Sequence, residues 1–208
     1  MRCSRINYAA AVARWAPDAR ERLENAALDL FVENGYEQTT VTQIAERAGL
    51  NRATFFRHFT DKQEVLFGGE DTLTALFADA IRTADSHATL NECLQLALTA
   101  AKAVLTAQQR RKATQRIAVA AATPEVHERA LLKHARIASA VAAALSERGT
   151  DQLSARLASE VCVLAFRVAF ERWMKAADGE PFPPFAVEAL NDLTSRAANL
   201  QTHAPSSG

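Results

Sequence analysis

An all-helical fold follows from three features of the sequence. Gly and Pro are sparse, 7 and 6 among 208 residues, and only 7% of residues are aromatic, while Ala is abundant, a composition that suits helices. Apolar residues recur at i, i+3, i+4 and i+7, the spacing of one helix face. Helix start and stop residues punctuate those stripes. About nine helices and no strands are expected on this pattern.

Taken in order, residues 1–17 read as a loose or partly helical arm. Leu23, Ala27, Leu30 and Phe31 then share a helix face, which Gly35 ends. Thr40 stands three residues before Gln43, the spacing of a capping box. Val41, Ile44, Ala45 and Ala48 form the stripe of that helix, and Gly49 stops it after about eight residues. Asn51 is a good N-cap for the next helix, where Phe55 and Phe59 face one way. Thr60 and Gln63 read as a second capping box, opening a longer helix with a stripe through Leu66, Leu73, Leu76, Phe77, Ala80 and Ile81. Gly68-Gly69 interrupts it, each glycine costing about 1 kcal/mol relative to Ala in a helix. That pair is either a plain break or a joint between two lobes.

Thr89-x-x-Glu92 opens a helix expected to reach about Gln108, followed by a short one from Arg110 to Ala122. Thr123-Pro124-Glu125 starts another, with proline at N1 and an acid in the first turn, running to Gly149. The next spans Asp151 to Ala177, and its middle, VCVLAFRVAF, is apolar nearly all round, so it should be covered on more than one side. Pro181, Pro183 and Pro184 predict a stiff turn before a last stripe of Ala186, Leu190, Leu193, Ala197 and Leu200. The organisation predicted is an arm at 1–17, a small domain at 18–67, a larger one at 68–203 and a frayed tail at 204–208.

Charge and cysteine use exclude several classes. Lys plus Arg equals Asp plus Glu, 24 each. Residues 1–67 are equally balanced, nine basic against nine acidic. Any polyanion partner must therefore be met by segregated charge rather than by net charge. Cys3, Cys93 and Cys162 are odd in number and far apart, which reads as a reduced, cytoplasmic chain with buried thiols. The N-terminus lacks the apolar core of a signal peptide, and no apolar run is long enough for a membrane span.

The segment from Thr40 to Phe59 is helix, glycine turn, helix. Both helices are too short to stand alone and need the first helix behind them. At about 100° per residue, Phe55 and Phe59 define the buried side of the second helix, and Arg57 lies opposite, between Ala53 and Thr54. Phe56 and His58 flank that face. Small residues allow close approach to a surface, and an arginine pointing outward matches the acceptors of a DNA major groove. Asn51 stands at the helix N-terminus, where free amides favour a phosphate, and Lys62 follows within reach of the same backbone.

The run NGYEQTTVTQIAERAGLNRATFFRHFTDKQEVLF resembles the N-terminal DNA-binding domain of the TetR family of bacterial regulators. The likeness covers about Ala19 to Phe67 without a gap. It implies an all-helical homodimer paired through its last two helices, with three N-terminal helices on a double-stranded operator and a variable core for a small-molecule effector. It implies that Thr40, Thr42 and Gln43 lie near phosphates and that Asn51 touches one. It sets Arg52, Ala53, Thr54 and Arg57 towards bases or backbone, His58 at a usual Tyr or His position, and Lys62 at a phosphate-contacting lysine. Phe56 replaces a frequent tyrosine and so lacks a hydroxyl for phosphate. The function implied is a repressor released by its effector, or else an activator or global regulator without a dedicated ligand.

Effector candidates are Phe77, Arg116, His127, His134, Phe166, Arg167 and Phe170, apolar groups with a few polar ones among them. Arg167 interrupts an apolar helix, where it could meet an acidic ligand, Glu171 or a glutamate of a second subunit. His127 and His134 are two turns apart, too far to share a metal ion. No cofactor is expected. Phosphate-binding glycine loops, H-E-x-x-H and paired E-x-x-H motifs are missing from the sequence, so it does not read as an enzyme.

Overall fold

The computed structural model describes residues 18–67 and 70–199. These form two compact units, Met1–Leu66 and Phe67–Gly208. The arm at 1–17, Cys3, Gly68-Gly69 and the tail lie outside the described residues. Among the described residues there are nine helices of seven residues or more, one four-residue helical turn, and no strand. None of these helices is long and apolar enough to cross a membrane.

The first unit contains α1 (Ala19–Asn34), α2 (Val41–Arg47), α3 (Arg52–His58) and the start of the short α4 (Glu64–Phe67). Its core is Leu23, Ala27, Leu28, Leu30 and Phe31 of α1 against Ile44, Ala45, Phe55, Phe59, Val65 and Leu66. The capping box is present: the Gln43 amide donates to Thr40 Oγ1 at 3.3 Å, and the Thr40 amide donates to Gln43 Oε1 at 2.8 Å. At the segment of the expected box, Thr60 and Gln63, two carboxylates act as caps. Asp61 accepts from the Glu64 amide at 2.7 Å, and Glu64 reaches back to the Thr60 amide and hydroxyl. Asp61 sits three residues before that amide, the spacing at which a side-chain oxygen caps a free first-turn N–H.

The second unit contains α5 (Glu70–Arg82), α6 (Leu90–Ala100), α7 (Ala107–Ala122), α8 (Pro124–Glu147), α9 (Gln152–Lys175) and α10 (Phe182–Asn199). Here α9 packs against both α8 and α10, and α5 packs on α6 and α8. Three boundaries differ from the sequence reading. Helix α6 stops at Ala100, where a 3₁₀ turn covers Ala101–Ala103. Helix α7 starts at Ala107, because the Thr106 hydroxyl accepts from the Gln109 amide at 3.3 Å. Pro183 and Pro184 lie inside the first turn of α10 rather than in a turn before it. First-turn amides have no partner within the helix, so proline loses nothing there.

An aromatic chain runs through this unit. Phe77 meets Phe166 at 5.5 Å between centroids, Phe166 meets Phe182 at 5.8 Å, and Phe182 meets Trp173 edge-on at 5.9 Å. The corner between α9 and α10 is tied by its own hydrogen bonds. Trp173 Nε1 donates to the Glu180 carbonyl at 2.8 Å. Arg110 of α7 donates to the carbonyls of Met174, Ala176 and Ala177, satisfying the orphan acceptors at the end of α9.

Cys93 and Cys162 are both buried. Burial pushes the Cys162 thiol up to about 12. Since the thiolate is the reactive form, Cys162 should resist alkylation in native protein at about pH 8 and label fully once the chain is unfolded. Mass spectrometry with and without denaturant checks this.

Candidate nucleic-acid interface

The two short helices owe their position to α1. Helix α2 ends in the turn through Ala48 and Gly49, where the Leu50 amide donates to the Ala45 carbonyl at 2.8 Å. Gly49 has φ +65°, and a Cβ placed there would come within 2.9 Å of Arg22 Nη2. The same nitrogen donates to the carbonyls of Ala48 and Gly49. Thr39, wholly buried, donates to the carbonyls of Leu30 and Gly35 and so fastens the entry to α2. An exposed ion pair at 2.8 Å joins Arg47 to Glu33 of α1. It holds the Glu33 carboxyl below and the Arg47 guanidinium above their ordinary ranges.

Helix α3 starts where Asn51 Oδ1 accepts from the Thr54 amide at 2.8 Å and from the Thr54 hydroxyl at 3.0 Å. Phe55 and Phe59 are buried, their centroids 5.5 Å apart. On the other side Arg52, Ala53, Phe56 and Arg57 are exposed. Phe56 is 46% exposed despite its size, and the Arg52 guanidinium lies 5.3 Å from its ring centroid, within cation–π range. Arg57 makes no hydrogen bond or ion pair among the described residues. The outward face thus carries one ordered cation and one free cation beside a small residue, which lets the helix approach a groove closely.

The other expected contact residues are placed less simply. Thr40, Thr42, Gln43 and Asn51 are exposed, but Thr40, Gln43 and Asn51 also serve as caps. Thr54 is half-buried and its hydroxyl is held by Asn51. His58 is half-buried, and its Nε2 is enclosed without a hydrogen-bond partner among the described residues. Lys62 turns inward, its Nζ 2.8 Å from the Tyr36 carbonyl. Sequence reasoning missed Arg20, Arg22 and Thr39, whose acceptors are main-chain carbonyls.

The effector candidates do not converge. Phe77 and Phe166 are core, with Phe170 stacked 6.0 Å from Phe166. Arg116 is half-buried on α7, and the His127 side chain lies outside the described residues. Arg167 is exposed. Half-burial, with Arg167 and Lys133 adding positive charge, pushes the His134 imidazole below its ordinary range, favouring its neutral form. A cavity of about 780 Å³ lies elsewhere in the second unit, between the first turns of α7 and the corner from α9 to α10. None of the seven candidates lines it. Among the described residues no group of His, Cys, Asp and Glu could hold a metal ion.

Residues 24–67 match the family model described as bacterial regulatory proteins, tetR family. The regulator TcmR of Streptomyces glaucescens is 54% identical over 46 residues, which are 22% of this chain and 20% of TcmR. MftR of Mycobacterium tuberculosis is 27% identical over 157 residues, 74% of this chain and 78% of MftR. Most of the curated relatives match only over about a quarter of either chain, as TcmR does. Two solved structures share the fold. A transcriptional regulator from Aquifex aeolicus superposes with TM-score 0.56 at 18% identity, covering 86% of this chain and 99% of its own. FadR of Bacillus subtilis, solved with stearoyl-CoA, gives 0.55 at 19% identity, covering 84% and 97%. The sequence match falls on the same residues that build the helix, turn and outward-facing helix, so residues 24–67 form a DNA-binding domain of the TetR type of bacterial regulators.

Proposed function

We propose that the chain is a ligand-responsive transcriptional repressor that binds an operator as a homodimer. The observation that carries the reading is the outer face of α3, with Arg57 uncommitted opposite the buried Phe55 and Phe59. In a two-fold dimer, two such helices would enter successive major grooves about 34–36 Å apart. The operator would then be a near-palindrome.

Pairing would use α9. Leu153, Leu157 and Leu164 are 77%, 65% and 43% exposed on this one helix, and their i, i+4, i+11 spacing puts them on one face. Arg167, between Leu164 and Glu171 on that side, would meet a glutamate of the second copy. The B. subtilis FadR fold neighbour holds stearoyl-CoA, which supports an effector in the second unit here. The cavity of about 780 Å³ has the size of a small-molecule site. Leu105, Met174, Trp173 and Phe182 line it alongside Lys102 and Arg111, so an effector with both apolar and polar parts would suit it. A difference of about 1–3 kcal/mol between the free and bound forms would be enough for release.

Selection of bound DNA from a random pool tests the reading, since motif, symmetry and half-site spacing come out together. Arg57→Ala should then cost about 1–3 kcal/mol on the selected site and relax the preference at one position of each half-site. Titration of the variant against sites changed one base at a time checks this. An unaltered preference would remove Arg57 from the reading role.

A further inference from the structure

We propose that Lys62 is a positioning residue, an internal brace for the entry to the helix-turn-helix, and not a phosphate contact. This rests on the DNA-binding function proposed above. The resemblance to the family implies a phosphate contact at this place, and the geometry points the other way.

An ammonium has three N–H donors. Lys62 Nζ lies 2.8 Å from the Tyr36 carbonyl, 3.3 Å from that of Thr39 and 3.4 Å from that of Glu37. It also lies 4.2 Å from the centroid of the Tyr36 ring, itself 5.1 Å from Phe31 of α1. Those three carbonyls belong to the loop that delivers Thr40, the cap of α2. All the hydrogen-bonding capacity of the ammonium is therefore spent on one side, within its own chain. Turning it to a phosphate would take this donor from the Glu37 and Thr39 carbonyls and leave the Tyr36 carbonyl with only the Thr39 amide, at 3.3 Å.

Two arginines do the same further along. Arg22 holds the carbonyls of Ala48 and Gly49 at the end of α2. Arg20 donates to the His58 carbonyl at the end of α3 at 3.0 Å, and its guanidinium lies 4.6 Å from the centroid of Phe59. The C-termini of both short helices thus carry a cation where the peptide dipoles favour one. Of the six cations between residues 18 and 67, Arg20, Arg22 and Lys62 are committed to carbonyls and Arg47 to Glu33. That leaves Arg52 and Arg57 to meet DNA.

This division has a thermodynamic signature. Each phosphate contact adds about 0.9 to the slope of log affinity against log salt, so a contact made once per protomer adds about 1.8 in a dimer. Full-length Lys62→Met and Arg52→Gln proteins are titrated with the selected operator and with random DNA over a range of salt. Lys62→Met should lose about tenfold or more on the operator and far less on random DNA, with the slope unchanged. Lys62→Arg, which keeps a donor to the same carbonyls, should recover part of the loss. An equal loss on both DNAs with a slope lower by about 1.8 overturns the proposal, and so does full operator affinity in Lys62→Met.

A footprint of the unmodified protein stands even if a variant fails to fold. Acetylation of Lys62, followed by mass spectrometry, should be slow both without and with operator. Fast acetylation without DNA that slows on binding overturns the proposal. A wild-type protein that binds no DNA would instead defeat the functional reading on which it rests.

Discussion

Replacing Phe55 by alanine should unfold the first unit while the second stays folded. Phe55 is fully buried, with Phe56 and Phe59 each 5.5 Å away between centroids. Removing such a ring costs about 3–5 kcal/mol through lost burial and the cavity left behind. A unit of roughly 50 residues commands a total stability on the order of 3–7 kcal/mol, so the loss is comparable with the whole. Helix α3 has seven residues and cannot form without tertiary support. Far-UV circular dichroism during heating should show an early transition worth about a quarter of the signal, then one near the wild-type temperature. DNA binding should vanish with the first. A single unshifted transition would mean that the ring does not hold the helix.

The second large effect is expected on α9. Leu157 is 65% exposed, between Leu153 and Leu164 on one face. If that face joins two copies about a two-fold axis, Leu157→Glu acts twice in every dimer. Losing the burial of one leucine is worth about 1.5–3 kcal/mol, so the doubled loss is about 3–6 kcal/mol, or roughly 10²–10⁴-fold in the dissociation constant of the dimer. Sedimentation velocity should show a monomer of unaltered helicity at concentrations where the wild type is paired, and operator affinity should fall with it. Persistence of the dimer would move the interface to another face.

The parts of this fold legible in the sequence were those written in local chemistry. Thr40, Asn51 and Thr89 are caps because a side-chain oxygen three residues ahead of a free amide needs nothing else. Phe55 and Phe59 declared the hidden side of α3 by their spacing, and Arg57 followed as its opposite. What escaped were the donors to distant main-chain carbonyls. Every residue has such a carbonyl, so Lys62 reaching Tyr36, Arg22 reaching Ala48 and Arg110 reaching the end of α9 leave no pattern to read. Boundaries slipped for a related reason. Apolar periodicity runs on through Leu105, but the Thr106 hydroxyl starts a new helix there. The effector candidates were the least legible, because Phe77 and Phe166 have the same hydrophobic signature whether they line a pocket or fill a core.

The close approach at Gly49 limits how this chain can diverge. A side chain there meets the guanidinium of Arg22 and also strains a backbone at φ +65°. Shortening Arg22 would clear the space, but it would strand two carbonyls and leave the strain in place. The backbone conformation disfavours other residues at 49 whatever stands at 22, so descendants of this gene are expected to keep Gly49. New operators would be acquired through positions 52, 53, 56 and 57, where the solvent-facing surface tolerates exchange, on a frame that drift leaves alone.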